Sequence, residues 1–486
     1  MTDSRFDLAR LAVQAALDAG VSYSDARVVG RRHERLAARN GEVDGTDLGH
    51  EIGIGVRALI GSSWGFAATS DLSEPPIRRA GEEAAAIARA SGRLRGPVDL
   101  VLADVPVAQT TWASPFDEDP FSVPLSEKAD LLLTATAEMM AVDGIVLATG
   151  VLEFWSTEKW FVSSQGHEIE QRIVEAGAQI AATAVGDGET QRRSYPQSFG
   201  EYQTGGYEVI RGFDLLAHAG PLAEEAVALL SADQCPVGEF DLILESSQLA
   251  LQIHESVGHA TELDRILGWE AAFAGTSFLT LGELGRLRYG SELMNITADA
   301  TIPGALGTFG FDDEGTPAQS VDLVREGTWV GVLSGRDSAH IAGLPPGGMV
   351  RGDGFARMPM VRMTNVGLRP GESSLEEIIA STEYGIYMAT NRSWSIDDKR
   401  LNFQFGCEIA WEVVDGRLGR MLKNPTYTGI TPVFWGSMDM LAGGDEWHAW
   451  GTPNCGKGQP LQIGHTGHPA APARFRDVRI GVGGRG

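Results

Sequence analysis

Apolar residues recur at helical spacing from Phe6 to Leu17, through Leu8, Leu11, Ala12, Ala15 and Ala16, and Gly20 stands in a helix-stop position. This pattern predicts an opening helix. Shorter alternating segments follow at Ser24 to Val29, Arg35 to Arg39 and Glu51 to Leu59. Asn40-Gly41, between two of them, is a hairpin-turn pair. Alanine-rich helices are predicted from about Pro76 to Ala90 and from Ser126 to Ala141. Val146 to Gln179 reads as β-hairpins, with turns at Ser164-Gln165-Gly166 and Gly186-Asp187-Gly188. A last helical stretch, Phe213 to Leu230, runs into Ser231-Ala-Asp-Gln-Cys-Pro236, where proline disfavours continuation. A domain boundary is placed there, giving 1–230 and 231–486. The second part reads as a β-rich series of short strands with one helix near 246–264.

Length agrees with this division, since 486 residues exceed one ordinary hydrophobic core. The 61 glycines favour tight turns and antiparallel structure. With 39 Lys+Arg against 65 Asp+Glu the net charge is −26, which repels phosphate backbones and anionic lipid surfaces, so neither nucleic acid nor membrane is an expected partner. Three cysteines, Cys235, Cys407 and Cys455, do not form a disulfide framework and point to a reducing, cytoplasmic setting. The first residues lack a basic segment followed by an apolar one, and no run of about 18 apolar residues occurs, so neither export nor membrane insertion is expected.

The chemistry concentrates in the helical stretch after the strand-like Phe240-Asp-Leu-Ile-Leu244, which contains His254-Glu255-Ser-Val-Gly-His259-Ala-Thr-Glu262-Leu-Asp264. A metallopeptidase helix spaces its histidines as H-E-x-x-H, one turn apart. Here the gap is one residue longer, and a regular helix would set the two imidazoles about 140° apart. A π-type turn of about 4.4 residues would bring them back to one face. A widened turn between 254 and 259 is therefore predicted, with Gly258 as the site of distortion. Given that turn, two imidazoles can hold Zn²⁺ and Glu255 can act as general base for a water the ion activates. Glu262 and Asp264 are candidates for orienting the imidazoles.

A catalytic zinc needs a third protein ligand, and His340, His448, Cys455, His465 and His468 are available downstream. Cys455 is the strongest. It lies in the glycine-rich Gly451-Thr-Pro-Asn-Cys-Gly-Lys-Gly-Gln-Pro460, read as a loop, where neighbouring Lys457 would depress the thiol pKa. Cys407, in Phe403-Gln-Phe-Gly-Cys, reads as core. The same loop matches a phosphate-binding pattern up to its final hydroxyl residue, but Gly458 stands at that place and Pro460 opposes the helix such a loop needs. Asp312 and Asp313 serve a turn before Gly315 or something further, and Arg351, Arg357 and Arg362 are candidates to clamp a peptide carboxylate.

Taken together, Gly53-Ile-Gly-Val-Arg57 with Trp64-Gly65-Phe66, the His254 to Asp264 segment, Asp312-Asp-Glu-Gly315, Arg362-Met-Thr-Asn365 and Cys455-Gly-Lys-Gly-Gln459 make the chain resemble the TldD/PmbA metallopeptidase family, on its TldD side, over nearly the whole length. The resemblance implies an α+β protein with an N-terminal α/β domain followed by a β-rich C-terminal domain carrying the metal-binding helix. It implies His254, His259 and Cys455 as zinc ligands, Glu255 as the catalytic residue and unfolded or flexible peptides as substrates. A partner is also implied: a PmbA/TldE-like subunit in a heterodimer, with a homodimer as the alternative. The other reading is a non-catalytic peptide-binding or modulator subunit. Thr390-Asn-Arg-Ser-Trp-Ser395 and His465-Thr-Gly-His468-Pro depart from the family pattern and bear on substrate preference and subunit contacts.

Overall fold

The computed structural model describes residues 4–93, 100–186, 188–273 and 275–481. The opening helix, α1, is Ser4–Asp18, and Asn40 and Gly41 turn a hairpin between β1, Tyr23–Arg39, and β2, Glu42–Ile60, both turn residues at positive φ as a two-residue hairpin requires. The segments Ser24 to Val29 and Arg35 to Arg39, read as separate strands, are one. The polar stretch between them breaks the alternation, yet Arg31 is tied to Asp353 and His33 to Glu153, so the strand continues through it. β3 (Ser63–Thr69), α2 (Glu74–Ser91), β4 (Gln109–Ala113), α3 (Leu125–Met140), β5 (Ile145–Ser163), β6 (Glu168–Gly186), β7 (Glu189–Tyr195) and β8 (Glu201–Thr204) follow, then α4 (Tyr207–Phe213) and α5 (Leu215–Ser231). The turn at Gly166 is present. Of the second turn, Asp187 lies outside the described residues.

β1 to β8 form one eight-stranded sheet, with β3-β2-β1-β5-β6-β4 in sequence across it and β7 and β8 also on β6. Its long central strands carry two separate apolar layers. Ala12, Ala16, Ile77 and Ala84 of α1 and α2 pack on Val28, Ile54 and Val56 at one end, while Leu132, Ala135, Ala219 and Ala223 of α3 and α5 pack on Leu36, Leu152 and Ile180 at the other. Small residues let the helices approach closely: a Cβ on Gly65 would lie 2.0 Å from the Ala84 carbonyl oxygen. The polar middle of the sheet faces the second half of the chain instead.

That half has its own core, containing Leu242, Ile253, Val257, Trp329, Phe405, Trp435 and Phe475. Its main sheet closes on itself. Gly238–Leu244 pairs with Tyr384–Ile396 and with Ala473–Ile480; Ala473–Ile480 pairs with Thr426–Ile430, which pairs with Asn402–Val414, which returns to Tyr384–Ile396. Two of these strands, Tyr384–Ile396 and Asn402–Val414, run 13 residues, longer than the short strands expected from sequence, and in the first Thr390 and Asn391 sit inside a bulged strand rather than ending it. The chain is thus α+β, with a β-rich C-terminal part.

The Asp312-Asp-Glu-Gly315 segment joins the two halves and is more than a turn. Asp312 accepts from the backbone of Glu314, Thr316 and Val350; Asp313 pairs with Arg27 and Lys159; Glu314 pairs with Arg57. Gly315 has φ 78°, and His167 Nδ1 lies 2.9 Å from where its Cβ would be.

Candidate metal centre

Strand Gly238–Leu244 delivers the chain to α6, Ser246–Ile253, whose first turn is capped by the Glu245 carboxylate accepting from Ser247 N–H. Every residue of α6 is buried, and its polar residues are satisfied internally, Gln248 donating to Tyr427 and Gln252 to Ser256. The helix then widens into a π-helical turn over His254–Gly258, with His259 N–H donating to the His254 carbonyl, and tightens to a 3-10 turn at His259–Thr261. The extra residue in the motif is absorbed as the spacing predicted, and the two imidazole centroids come within 4.8 Å. Gly258 is required for a different reason from backbone freedom. Its φ of −52° is ordinary, but a Cβ there would sit 2.1 Å from the Met363 sulfur.

Cys455 completes the cluster. The ligand atoms of His254, His259 and Cys455 all lie within 4.8 Å of one another, and Cys455 Sγ is 3.8 Å from His259 Nε2. The thiol is not on a loop: it sits in strand His448–Lys457, paired with Gln462–Ala470. Glycines and a proline there suit a bulged hairpin, which also disposes of the phosphate-loop reading. Lys457 is not the group that acts on the thiol, because its ammonium is buried against Glu262 and Asp264 and donates to the Val361 carbonyl. Burial pushes the Cys455 thiol up, but the charge His259 carries when protonated and the Arg362 guanidinium outweigh it, and the net shift is downward.

Each histidine is oriented from behind. His468 Nδ1 can only donate to the Val366 carbonyl at 3.0 Å, so its Nε2 accepts from His254 Nδ1–H at 2.7 Å, leaving the His254 Nε2 lone pair free. His259 Nδ1–H donates to Glu262 Oε2 at 2.9 Å, again freeing Nε2. Burial, with Arg265 beside it, drives His259 down to about 4, and burial lowers His254 and His468, so all three rings are neutral near pH 7. Burial alone would raise Glu262, but Lys457, His259 and Arg265 hold it well below the usual carboxylate range. Asp264, expected to orient an imidazole, instead pairs with Lys457. Replacing His468 by Ala is expected to lower the affinity of the cluster for a divalent metal ion about 10- to 100-fold, measured by competition with a chelator, since the relay that fixes the His254 tautomer is lost.

The remaining sequence candidates fall elsewhere. His340 lines a cavity of about 690 Å³ together with Trp64, Trp269, Asp264 and Arg357. His465 pairs with Glu175, and His448 lies beside Glu201. Cys407 is fully buried in the core and its thiol is pushed well up by burial. Arg362 and Arg351 are spent on backbone carbonyls, of Cys455 and Gln462 and of Met363 and His465, and do not form a clamp. Glu255 is 7% exposed at the cluster and pairs with Arg400. The pairing with Arg400 and the part played by His468 behind His254 were not anticipated; each joins residues far apart in the chain, and no local spacing signals them.

Three profiles of one family match in order: PmbA/TldA metallopeptidase domain 1 over 24–88, the central domain over 118–232 and the C-terminal domain over 237–480. The chain belongs to the TldD/PmbA family. Among curated relatives of this TldD/PmbA chain, a Methanothermobacter thermautotrophicus protein named metalloprotease is 30% identical over 95% of this chain and 96% of its own. A TldD homologue of Haemophilus influenzae, also named metalloprotease, is 25% identical over 95% and 93%. One from Saccharolobus solfataricus, named zinc metalloprotease, is 23% identical over 47% and 50%. Solved structures share the fold: TldE from Thermococcus kodakarensis at TM-score 0.70 and 16% identity, covering 97% and 99%, and a Thermotoga maritima chain named a candidate modulator of a DNA gyrase at 0.78 and 17%, covering 99% and 100%. The relatives' names support a metallopeptidase at the level of the family.

Proposed function

We propose that this chain is a zinc-dependent peptidase that hydrolyses unfolded or flexible peptides, with His254, His259 and Cys455 as the metal ligands and Glu255 as general base. The observation that carries the reading is the convergence of two neutral imidazoles and one acid-shifted thiol, buried together, with a carboxylate one residue from the first of them. Two nitrogens and a soft sulfur are a donor set zinc favours, and three protein ligands are what a catalytic site presents. A zinc ion there would supply Lewis acidity toward a peptide carbonyl and a nearby water.

The protein's own groups do the rest. His468 and Glu262 hold the two rings in one tautomer. Glu255 takes a proton from the attacking water at its carboxylate and returns it to the departing amine, so one water is consumed and a carboxylic acid and an amine are formed. The buried surroundings, Val257, Met363 and Ala260 among them, keep bulk solvent from the reaction.

The proposal includes a PmbA/TldE-like partner subunit, supported by the likeness to TldE, with a second copy of this chain as the alternative. It includes a cytoplasmic setting, in keeping with three unpaired cysteines; among the described residues no helix is long and apolar enough to cross a membrane. The division into 1–230 and 231–486 belongs to it as well, supported by the separate apolar clusters. The purified chain, alone and with a PmbA/TldE-like partner, is expected to bind one zinc and to cleave a flexible peptide in at least one of the two states. Zinc binding without cleavage in either state would favour the non-catalytic modulator reading, and failure to take up zinc would defeat the metal assignment.

A further inference from the structure

The hydrolytic reading leaves one neighbour of Glu255 unused. Arg400 Nη1 donates to Glu255 Oε2 at 2.5 Å, and among the described residues this is the one hydrogen bond either side chain makes. Glu255 Oε1 is therefore unclaimed. On the arginine, Nε is buried and has no partner. In a guanidinium Nη1 lies on the side of Cδ, so the opposite edge, Nε with Nη2, is a fork of two parallel N–H donors. That edge is uncommitted. Buried donors are seldom left unmade in native proteins, and a site for a ligand is one of the standard reasons for an exception.

The turn that carries Arg400 is fixed from several sides. Arg400 has φ 65°, an unfavourable conformation for a residue with a side chain unless its surroundings hold it. The Asp397 carboxylate accepts from Leu401 and Asn402 N–H, Thr431 Oγ1 donates to the Arg400 carbonyl, and Thr276 and Phe278 N–H donate to the carbonyls of Asp398 and Lys399. Arg400 thus reaches Glu255 from a braced position. Arg265 Nη1 and Arg362 Nε also lack partners, but those two arginines are anchored one layer back, on Glu262 and on the Cys455 carbonyl. Among the described residues, Arg400 alone hydrogen-bonds the carboxylate proposed to move the proton.

We propose that Arg400 is the second electrophile of this site: Nη1 fixes Glu255 so that Oε1 handles the proton, and the Nε–Nη2 edge donates to the carbonyl oxygen of the bound peptide. The inference rests on the peptidase reading. As the water oxygen bonds to the carbonyl carbon, one of its protons passes to Glu255 Oε1 and the carbonyl π pair moves onto the oxygen, whose negative charge the arginine stabilises by donating from Nε–H and Nη2–H. The pair returns as the C–N bond breaks, and the proton on Glu255 goes to the leaving amine. A preorganised cation at the point where negative charge develops is worth most in a buried site, because no solvent must reorganise.

The test uses the zinc-loaded protein with its partner subunit, comparing wild type with Arg400→Ala and Arg400→Lys. Arg400→Ala is expected to keep full zinc and a KM within a few-fold of wild type while kcat falls about 10²- to 10³-fold, with partial recovery in millimolar guanidinium. Peptides with free and amidated C-termini should lose equally. On metal-free protein, the Tm losses of Arg400→Ala and Glu255→Gln should be less than additive in the double variant, as for two members of one ion pair. An active wild type with an equally active Arg400→Ala would overturn the inference alone. Loss confined to free-carboxylate peptides would overturn it too, assigning the fork to the peptide C-terminus. A zinc-loaded wild type that cleaves nothing defeats the peptidase reading and this inference with it.

Discussion

Replacing Glu255 by Gln is expected to leave zinc stoichiometry unchanged and to lower peptide turnover by about 10²- to 10⁴-fold, the usual contribution of a positioned general base. The amide keeps the size of the carboxylate but cannot take up the proton of the attacking water. It can still accept from Arg400 through its oxygen, so the turn at 397–401 should stay in place. Metal analysis together with steady-state turnover decides the matter. A variant that retains wild-type turnover would remove Glu255 from the reaction and leave the cluster a structural or regulatory metal site.

The second large effect is on stability. Asp313 is fully buried and bridges Arg27 of β1 and Lys159 of β5, tying the N-terminal sheet to the second half of the chain. Asp313→Asn removes the charge and leaves two cations buried without it, for which a loss of about 3–5 kcal/mol is expected. The pH dependence has a definite sign. Burial alone would raise the Asp313 carboxyl, but Lys159 and Arg27 outweigh it and hold it well below the usual range. A carboxylate depressed in the folded state contributes stability above its unfolded pKa of about 3.9, and that contribution is lost as pH falls toward the folded value. The Tm gap between wild type and Asp313→Asn should therefore be steady from pH 7 to 5 and narrow below about pH 4. A gap that stays constant down to pH 2.5 would show that the ion pairs do not carry the difference.

These two residues show what can be read from the chain and what cannot. Glu255 is found locally: it sits beside His254 in a recognisable spacing, and the added residue before His259 forces a widened turn by helical geometry alone. The structure has that turn at His254–Gly258. Asp313 gave only a turn signal, since its partners Arg27 and Lys159 are 286 and 154 residues away. Cys455 lies beside His254 and His259, but its expected setting was mistaken. Glycine and proline around it suggested a loop, whereas the bulge between Thr452 and Cys455 lets the strand accommodate them. Lys457, two residues on, looked like the thiol's neighbour. In a strand, though, residues i and i+2 share a face without having to touch, and Lys457 found Glu262 and Asp264.

By itself the sequence determined the four long helices of the first half, the Asn40-Gly41 hairpin and the π turn that brings the two imidazoles together, because each follows from local spacing along a single helix or hairpin. Only the tertiary structure decided which way the rings point, through His468 and Glu262, and which cation holds Glu255, through Arg400. The physical reason is range. Helical and turn preferences act over a few residues, while hydrogen bonds and ion pairs act on whatever folding brings within 3 Å, and nothing in a linear pattern marks a partner 145 residues distant.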